Sequence, residues 1–385
     1  MSFEGGPGVS PYLTEDHEAF RATVRRFVRE EIAPYCTQWD EEGGFPRELY
    51  RKASAVGLLG LGFPEEYGGI ESDVFFRIVV SEELSQAGCG GVSSSLMSHT
   101  IGSPPIARYG SAEMKARVLP AVLSGEKISA LAITEPSGGS DVASLKTTAR
   151  REGDHYVVNG SKMFITSGMR ADYYSVAVRT GGPGAAGVSL LLIERDREGF
   201  TRTPLKKMGW WASDTAQLFF DNVRVPVDNL IGQENKGFIG IMLNFNQERL
   251  GMSAGACGYA KVCLDEAIAY ARERHTFGRP LIANQVVRHR LVDMAMRVNA
   301  VRSTLELLAW RVGQGEKPVA EICMLKNLAT STMEFCANEA MQIFGGAGYL
   351  RGAKVERIYR ETKVMSIGGG SVEIMKDLAA RQMGL

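Results

Sequence analysis

The stretch that decides the reading is Asn246-Gln247-Glu248-Arg249-Leu250-Gly251-Met252-Ser253-Ala254-Gly255-Ala256. It lies inside a predicted helix running from about Lys236 to Arg274. Phe238, Met242, Phe245, Met252 and Gly255 recur at helical spacing, which argues for one buried face. Beside that face stands a carboxylate, Glu248, and a run of Gly, Ser and Ala follows it. Glycine costs roughly 1 kcal/mol against alanine in a helix interior, so Gly251, Gly255 and Gly258 need a reason. The usual one is close approach by another helix or by a flat ligand. Two readings of Glu248 compete. One is a solvated side chain paired with Arg249 or Arg272, the ordinary state of a helical Glu. The other is a catalytic base beside a planar cofactor.

Outward from this stretch, helical periodicity continues to the C-terminus. A helix is predicted from about Gln285 to Gly313, with Val287, Leu291, Met294, Val298, Val301, Leu305 and Leu308 on one side. Another runs from Lys317 to Phe344 and stops at Gly345-Gly346. Two shorter helices follow, the last capped by Ser371. This is an up-down arrangement such as a four-helix bundle.

In the other direction the pattern changes to strands. Ser129–Thr134, Tyr173–Val178, Val188–Ile193 and Leu218–Val225 read as strands. His155–Val158, Asn159-Gly160 and Lys162–Thr166 read as a β-hairpin with a type I′ turn. The first 126 residues return to helices: one capped by Thr14 and ended by Pro34, one from Pro46 to Val56, and one from Ser72 to Gln86. A fourth after Val92 is disturbed by Pro104-Pro105, and a fifth is capped by Ser111. The expected fold is α+β and multidomain. It comprises an all-α unit (1–126), a β-barrel or sandwich (127–231) and a helical bundle (232–385).

The 385 residues include 44 Lys+Arg and 44 Asp+Glu, so the formal net charge is zero. A nucleic-acid or membrane-surface partner would need a basic excess or stripe. The six cysteines contain no C-x-x-C pair and read as buried thiols. Met1–Pro7 is neither a secretory signal nor an Arg-rich transit peptide, so a cytoplasmic location is expected. There is no G-x-S-x-G elbow, Walker A loop or H-E-x-x-H pair. No metal site is expected. Trp210-Trp211 reads as domain packing.

Thr134-Glu135-Pro136-Ser137-Gly138-Gly139-Ser140-Asp141 is a Gly/Ser loop leaving a strand, able to offer N–H groups and hydroxyls to an anion or a polar ring. Gly345-Gly346-Ala347-Gly348 reads as a helix C-cap. Gly368-Gly369-Gly370 precedes a helix start, where anions bind.

Taken together, these segments resemble the acyl-CoA dehydrogenase family over nearly the whole chain. Leu131–Ser140 (LAITEPSGGS) is similar to that family's flavin loop. Arg274-His275-Thr276-Phe277-Gly278 with Gln285 resembles its R-x-T-F-G … Q element, and Gln342–Tyr349 its Q-x-x-G-G-x-G element. The resemblance implies FAD, a homotetramer, an electron-transfer flavoprotein as acceptor, and oxidation of an acyl-CoA thioester to the trans-2-enoyl-CoA. It implies FAD contacts at Leu131, Ile133, Thr134, Gly139, Ser140, Phe164, Thr166, Arg274, Thr276, Gln285, Gln342, Gly346, Ser371 and Glu373. Part of these would serve a neighbouring subunit. Substrate contacts would be Ser140, Asn246, Arg249, Gly370 and Arg381.

One departure matters. Most members carry a catalytic Glu before the last helix, where this chain has Gly369. Isovaleryl- and long-chain acyl-CoA dehydrogenases resemble the alternative, with the base on the long helix in a segment like Gln247-Glu248-Arg249-Leu250. A missing Glu and a present one occur together here, which raises Glu248 above its solvated reading. Glu248 would remove the α-proton. The Gly369 N–H and a ribityl hydroxyl would hold the thioester oxygen, and hydride would pass from the β-carbon to the flavin. With only glycine at 369, room is expected beside the reacting carbons, enough for a long or methyl-branched chain such as citronellyl-CoA. Two rival readings remain: a flavin- and acyl-CoA-binding relative without turnover, and an oxidase passing electrons to O₂. The chain is shorter than most acyl-CoA oxidases, which usually add a helical domain.

Overall fold

This computed structural model describes residues 10–385, with the side chains of residues 243–247 outside the description. Eight helices come first: α1 (Glu15–Phe27), α2 (Cys36–Glu42), α3 (Glu48–Ala55), α4 (Val74–Ser85), α5 (Gly90–Leu96), α6 (His99–Gly102), α7 (Pro104–Tyr109) and α8 (Ala112–Leu123). Thr14 caps α1 by accepting from the His17 N–H, and Ser111 caps α8 by accepting from the Met114 N–H. The prolines behave differently from expectation. Pro34 does not end the helical path: a π-turn at Val28–Ile32 and a 3₁₀ turn at Ala33–Tyr35 lead directly into α2. Pro104 and Pro105 open α7 instead of disturbing a helix. In a first turn the missing N–H has no intrahelical acceptor to lose.

Seven strands then form one curled sheet: β1 (Ser129–Ala132), β2 (Thr148–Glu152), β3 (His155–Thr166), β4 (Tyr173–Arg179), β5 (Val188–Glu194), β6 (Phe200–Pro204) and β7 (Thr215–Pro226). The order is β1-β4-β2-β3-β7-β6, with β5 also paired to β4. β1 runs parallel to β4, so the chain leaves β1 through the Gly/Ser loop before entering the antiparallel part.

The hairpin expected at Asn159-Gly160 is absent. β3 is one twelve-residue strand, and its register against β7 shifts between Val158 and Gly160. Gly160 has φ 143°, and a Cβ there would lie 2.7 Å from the Thr147 Cα. Asn159 Oδ1 accepts from the Asn222 N–H at 2.9 Å across the sheet. The glycine therefore serves a bulge under close backbone approach, not a turn. The turn sits at Gly153-Asp154, where Glu152 pairs with His155.

The last part contains α9 (Gly237–Glu273), a short ribbon of β8 (His275–Thr276) and β9 (Arg279–Pro280), α10 (Gln285–Gly313), α11 (Val319–Phe344), α12 (Lys354–Ile367) and α13 (Val372–Met383). One hydrophobic core runs from α1–α5 into the sheet, and a second fills the bundle while taking Phe75 and Ile78 from α4. The three parts thus share cores at their seams. All six cysteines are free and buried. Among the described residues no helix is long and apolar enough to cross a membrane.

Trp211 marks the junction of the three parts. Its ring lies under the guanidinium groups of Arg351 and Arg360, at 4.6 and 3.8 Å. Arg360 also donates to Asp40 of α2 at 2.8 Å.

Candidate active site

Glu248 lies in the first half of α9. The residue as a whole keeps some accessible surface, as a group open to a ligand must. Its carboxyl is nonetheless so enclosed that loss of hydration dominates, pushing it up to about 7 against the pull of Arg249 and Lys326. Among the described residues no hydrogen bond or ion pair engages it, so the solvated, Arg-paired state does not describe it. Burial disfavours the charged form of a carboxyl, and a group poised near neutrality suits proton abstraction.

Next to it, Arg249 and Met252 bring α9 against the glycine loop between α12 and α13. Gly369 and Gly370 have φ of 64° and 103°, conformations that L side chains rarely adopt. Two buried cations hold the loop. Arg249 donates from Nε to the Gly369 carbonyl at 3.4 Å. Lys326, fully buried on α11, donates from Nζ to the Gly370 carbonyl at 2.7 Å and to the Ser366 carbonyl at 3.2 Å. Burial, with Arg249 nearby, lowers this ammonium to about 8, while Glu248 acts in the opposite sense.

The room expected over Gly369 is taken. A Cβ on Gly369 would lie 2.5 Å from Met252 Sδ, and Met252 stands one turn beyond Glu248 on α9. A side chain at 369 and this methionine compete for the same volume. A carboxylate reaching in from the loop would have to displace it.

A second group of expected residues gathers at the end of β1. Leu131, Ile133 and Thr134 lead into the exposed Gly139-Ser140 loop, and the Thr134 carbonyl accepts from the Met163 N–H of β3 at 2.8 Å. That bond brings Phe164 and Thr166 alongside. Phe164 is held at φ 61° with 65% of its surface exposed. An open aromatic face beside a polar, N–H-rich loop is what a flat ring system with polar edges requires, so these residues fit a flavin.

The loop itself is fixed by a buried ion pair that sequence reasoning missed. Glu135 accepts from Lys162 Nζ at 2.8 Å and from the N–H groups of Lys146 and Thr147 at 2.6 and 2.9 Å. Burial alone would raise this carboxyl; Lys162 and the hydrogen bonds hold it down to about 2.

A third group lies at one end of the bundle. Tyr270 and Phe344 stack with centroids 4.2 Å apart, so the ends of α9 and α11 adjoin. This gathers Arg274, Thr276 and Gln285 near Gln342 and Gly346, with Phe277 fully exposed. Within one chain these residues sit on the surface.

The remaining expected residues are dispersed along α13. Ser371 caps that helix by accepting from the Ile374 N–H, Glu373 is exposed in its first turn, and Arg381 is exposed near Asp377 at 3.8 Å. The Asn246 side chain lies outside the described residues. One group of metal-ligand types occurs among the described residues, Asp40, Cys89 and Glu361. Asp40 is already engaged by Arg360, and burial raises the Glu361 carboxyl to about 8, which disfavours a cation there.

Three family profiles cover the chain in order: Acyl-CoA dehydrogenase, N-terminal domain, on residues 14–126; middle domain, on 130–223; and C-terminal domain, on 235–384. The chain belongs to the acyl-CoA dehydrogenase family. The rat mitochondrial long-chain specific acyl-CoA dehydrogenase is 36% identical over 98% of this chain and 88% of its own length. A solved chain from Mycobacterium smegmatis assigned to the acyl-CoA dehydrogenases is 47% identical, with a TM-score of 0.95 over 97% of this chain and 99% of its own. The Geobacillus kaustophilus acyl-CoA dehydrogenase is 38% identical, with a TM-score of 0.94 over 98% of this chain and all of its own. This acyl-CoA dehydrogenase is an FAD-dependent enzyme.

Proposed function

We propose that this dehydrogenase removes the α-proton of an acyl-CoA thioester with Glu248, in place of a carboxylate from the loop before the last helix. The observation that carries this reading is the Glu248 carboxyl itself, unpaired among the described residues, enclosed, and raised to about 7. The loop that would carry the alternative base is glycine, with Met252 occupying the volume above it.

The Gly369 N–H would donate to the thioester oxygen as negative charge grows there, a preorganised donor. Its loop is held by Arg249 and Lys326, which limits reorganisation during the reaction. FAD, when bound, supplies the hydride acceptor. The residues that would hold it are Leu131, Ile133, Thr134, Gly139, Ser140, Phe164 and Thr166, completed by Ser371 and Glu373. Arg274, Thr276, Gln285, Gln342 and Gly346 would serve the cofactor of a neighbouring subunit. Ser140, Asn246, Arg249, Gly370 and Arg381 would contact the acyl-CoA.

Two further readings accompany this one. Exposed apolar residues on α10 and α11, among them Val292, Met296, Trp310 and Met324, support assembly into a homotetramer. A solved chain from Acidaminococcus fermentans, 34% identical with a TM-score of 0.92, is described under that organism's electron-transferring flavoprotein. It supports such a flavoprotein as acceptor here.

For substrate, the long-chain relative favours a long acyl chain, and Met252 leaves less room for a methyl branch near the reacting carbons. Anaerobic addition of straight and branched acyl-CoAs, compared by kcat/KM, tests this. Bleaching of the flavin is expected, fastest with long straight chains. A spectral shift without bleaching across the panel would mean a binding protein. Preference for chains branched at C2 or C3 would overturn the substrate reading.

A further inference from the structure

The buried ammonium of Lys326 touches none of the reacting groups proposed above, yet it is bound to the loop that carries Gly369. It belongs to α11, while Glu248 is on α9 and the glycine loop follows α12. Its nitrogen donates to two carbonyls of one short loop, Ser366 at 3.2 Å and Gly370 at 2.7 Å. These carbonyls flank Gly369, whose own carbonyl is held by Arg249. A fully buried lysine normally survives only where its charge is needed or matched. Here no carboxylate makes an ion pair with it among the described residues. The carboxyl acting on it is that of Glu248.

We propose that Lys326 is a positioning residue of this enzyme: its hydrogen bonds to the Ser366 and Gly370 carbonyls fix the loop that presents the Gly369 N–H. The proposal rests on Glu248 being the base. A neutral side chain at 326 would leave the Ser366 and Gly370 carbonyls unpaired and Glu248 with one cation fewer.

The charges that face Glu248 are few. On its own helix there is Arg249, and on α11 there is Lys326. Cys323 of α11 faces Lys326 and Arg249. Among the described residues, α4, α12 and α13 set no charged group against the Glu248 carboxyl. Removing Lys326 therefore removes one of two cations, and the carboxyl must move up.

The test needs no substrate. In the FAD-loaded wild type, the infrared carbonyl stretch of a protonated carboxyl that disappears in Glu248→Gln reports the titration midpoint of Glu248. In Lys326→Met that midpoint is expected to rise by roughly 1 pH unit, the low end for loss of a nearby opposite charge. In Lys326→Arg, which keeps the charge on a different head group, it is expected to return toward wild type. The acidic limb of flavin reduction by the fastest acyl-CoA of the panel should move with it.

Lys326→Met is studied on the fraction that retains FAD, and Lys326→Arg serves if that fraction is absent: its midpoint should stay within about 0.3 pH unit of wild type while loop-dependent kcat falls. Flavin reduction at the wild-type rate above the acidic limb in either variant, or an unmoved midpoint in Lys326→Met, would overturn the proposal. Failure of the base assignment itself is read separately, as an unimpaired reduction rate in Glu248→Gln.

Discussion

In the proposed reaction, the chemistry rests on the one Glu248 carboxyl kept from water. A base held near 7 must be deprotonated to work, so flavin reduction should rise as pH increases through about 7 and level off above it. A stopped-flow pH profile checks this, and a limb near the ordinary 4.5 would contradict it. Gly369 offers a second expectation. Alanine there meets φ 64° and the Met252 thioether together. Gly369→Ala should lower Tm, and adding Met252→Ala should recover part of the loss, leaving the backbone strain of about 1–2 kcal/mol. Thermal melts of the two variants decide it.

Glu248 stood out in the sequence as the candidate base because the glutamate usual at position 369 is missing. Lys326 was not. It occupies a buried helical position beside Leu325 and Ala329, but its partners are backbone carbonyls of a glycine loop, which carry no side-chain signature. Met252 was read as part of an apolar stripe. Which side of that stripe meets position 369 is fixed only by how α9 and the loop dock.

Among the elements, α9 shows how far pattern reading reaches. Its span was readable from periodicity, but the reason for its three glycines was only partly so. Gly258 is the one under tight approach: a Cβ there would lie 2.0 Å from Ser85 Oγ and 3.4 Å from the Glu82 Cα on α4. Around Gly251 and Gly255 the nearest atoms are 3.9 and 4.0 Å away. Gly258→Ala should therefore destabilise the protein despite alanine's better helix propensity. Gly251→Ala should be neutral or stabilising by up to about 1 kcal/mol. Denaturant titration checks both, and a stabilising Gly258→Ala would contradict the packing.

The strands were harder to read. β2 carries Arg150 and Arg151, and β6 is a short polar edge strand; neither alternates clearly enough to announce itself. Asn159-Gly160 carries the signal of a tight turn, yet long-range pairing with Asn222 turns it into a bulge. Local turn chemistry loses where a partner strand satisfies the same groups.

Across the whole molecule, the order helix, sheet, bundle was legible because the hydrophobic period changes twice along the chain. What joins the parts was not, because it is built from charges distant in sequence. At the junction, Glu361 of α12 accepts from the Gly90 N–H of α5 at 2.8 Å, and burial raises its carboxyl to about 8. A raised carboxyl binds its proton more tightly in the folded state. Its contribution to stability is complete below about 4.5 and is lost as pH rises through about 8, by at most about 1.4 kcal/mol per pH unit. Glu361→Gln should abolish that part of the slope, so melts of wild type and variant should diverge across this window. Parallel slopes would contradict it.

On the proposed reading, the folded whole brings an α9 carboxylate to a glycine loop beside a flavin. The most direct measurement is anaerobic single-turnover flavin reduction by Glu248→Gln, loaded with FAD and saturated with acyl-CoA. A rate at least ~100-fold below wild type, with FAD content and acyl-CoA affinity retained, is the expected result. Reduction at the wild-type rate would contradict the assignment of the base.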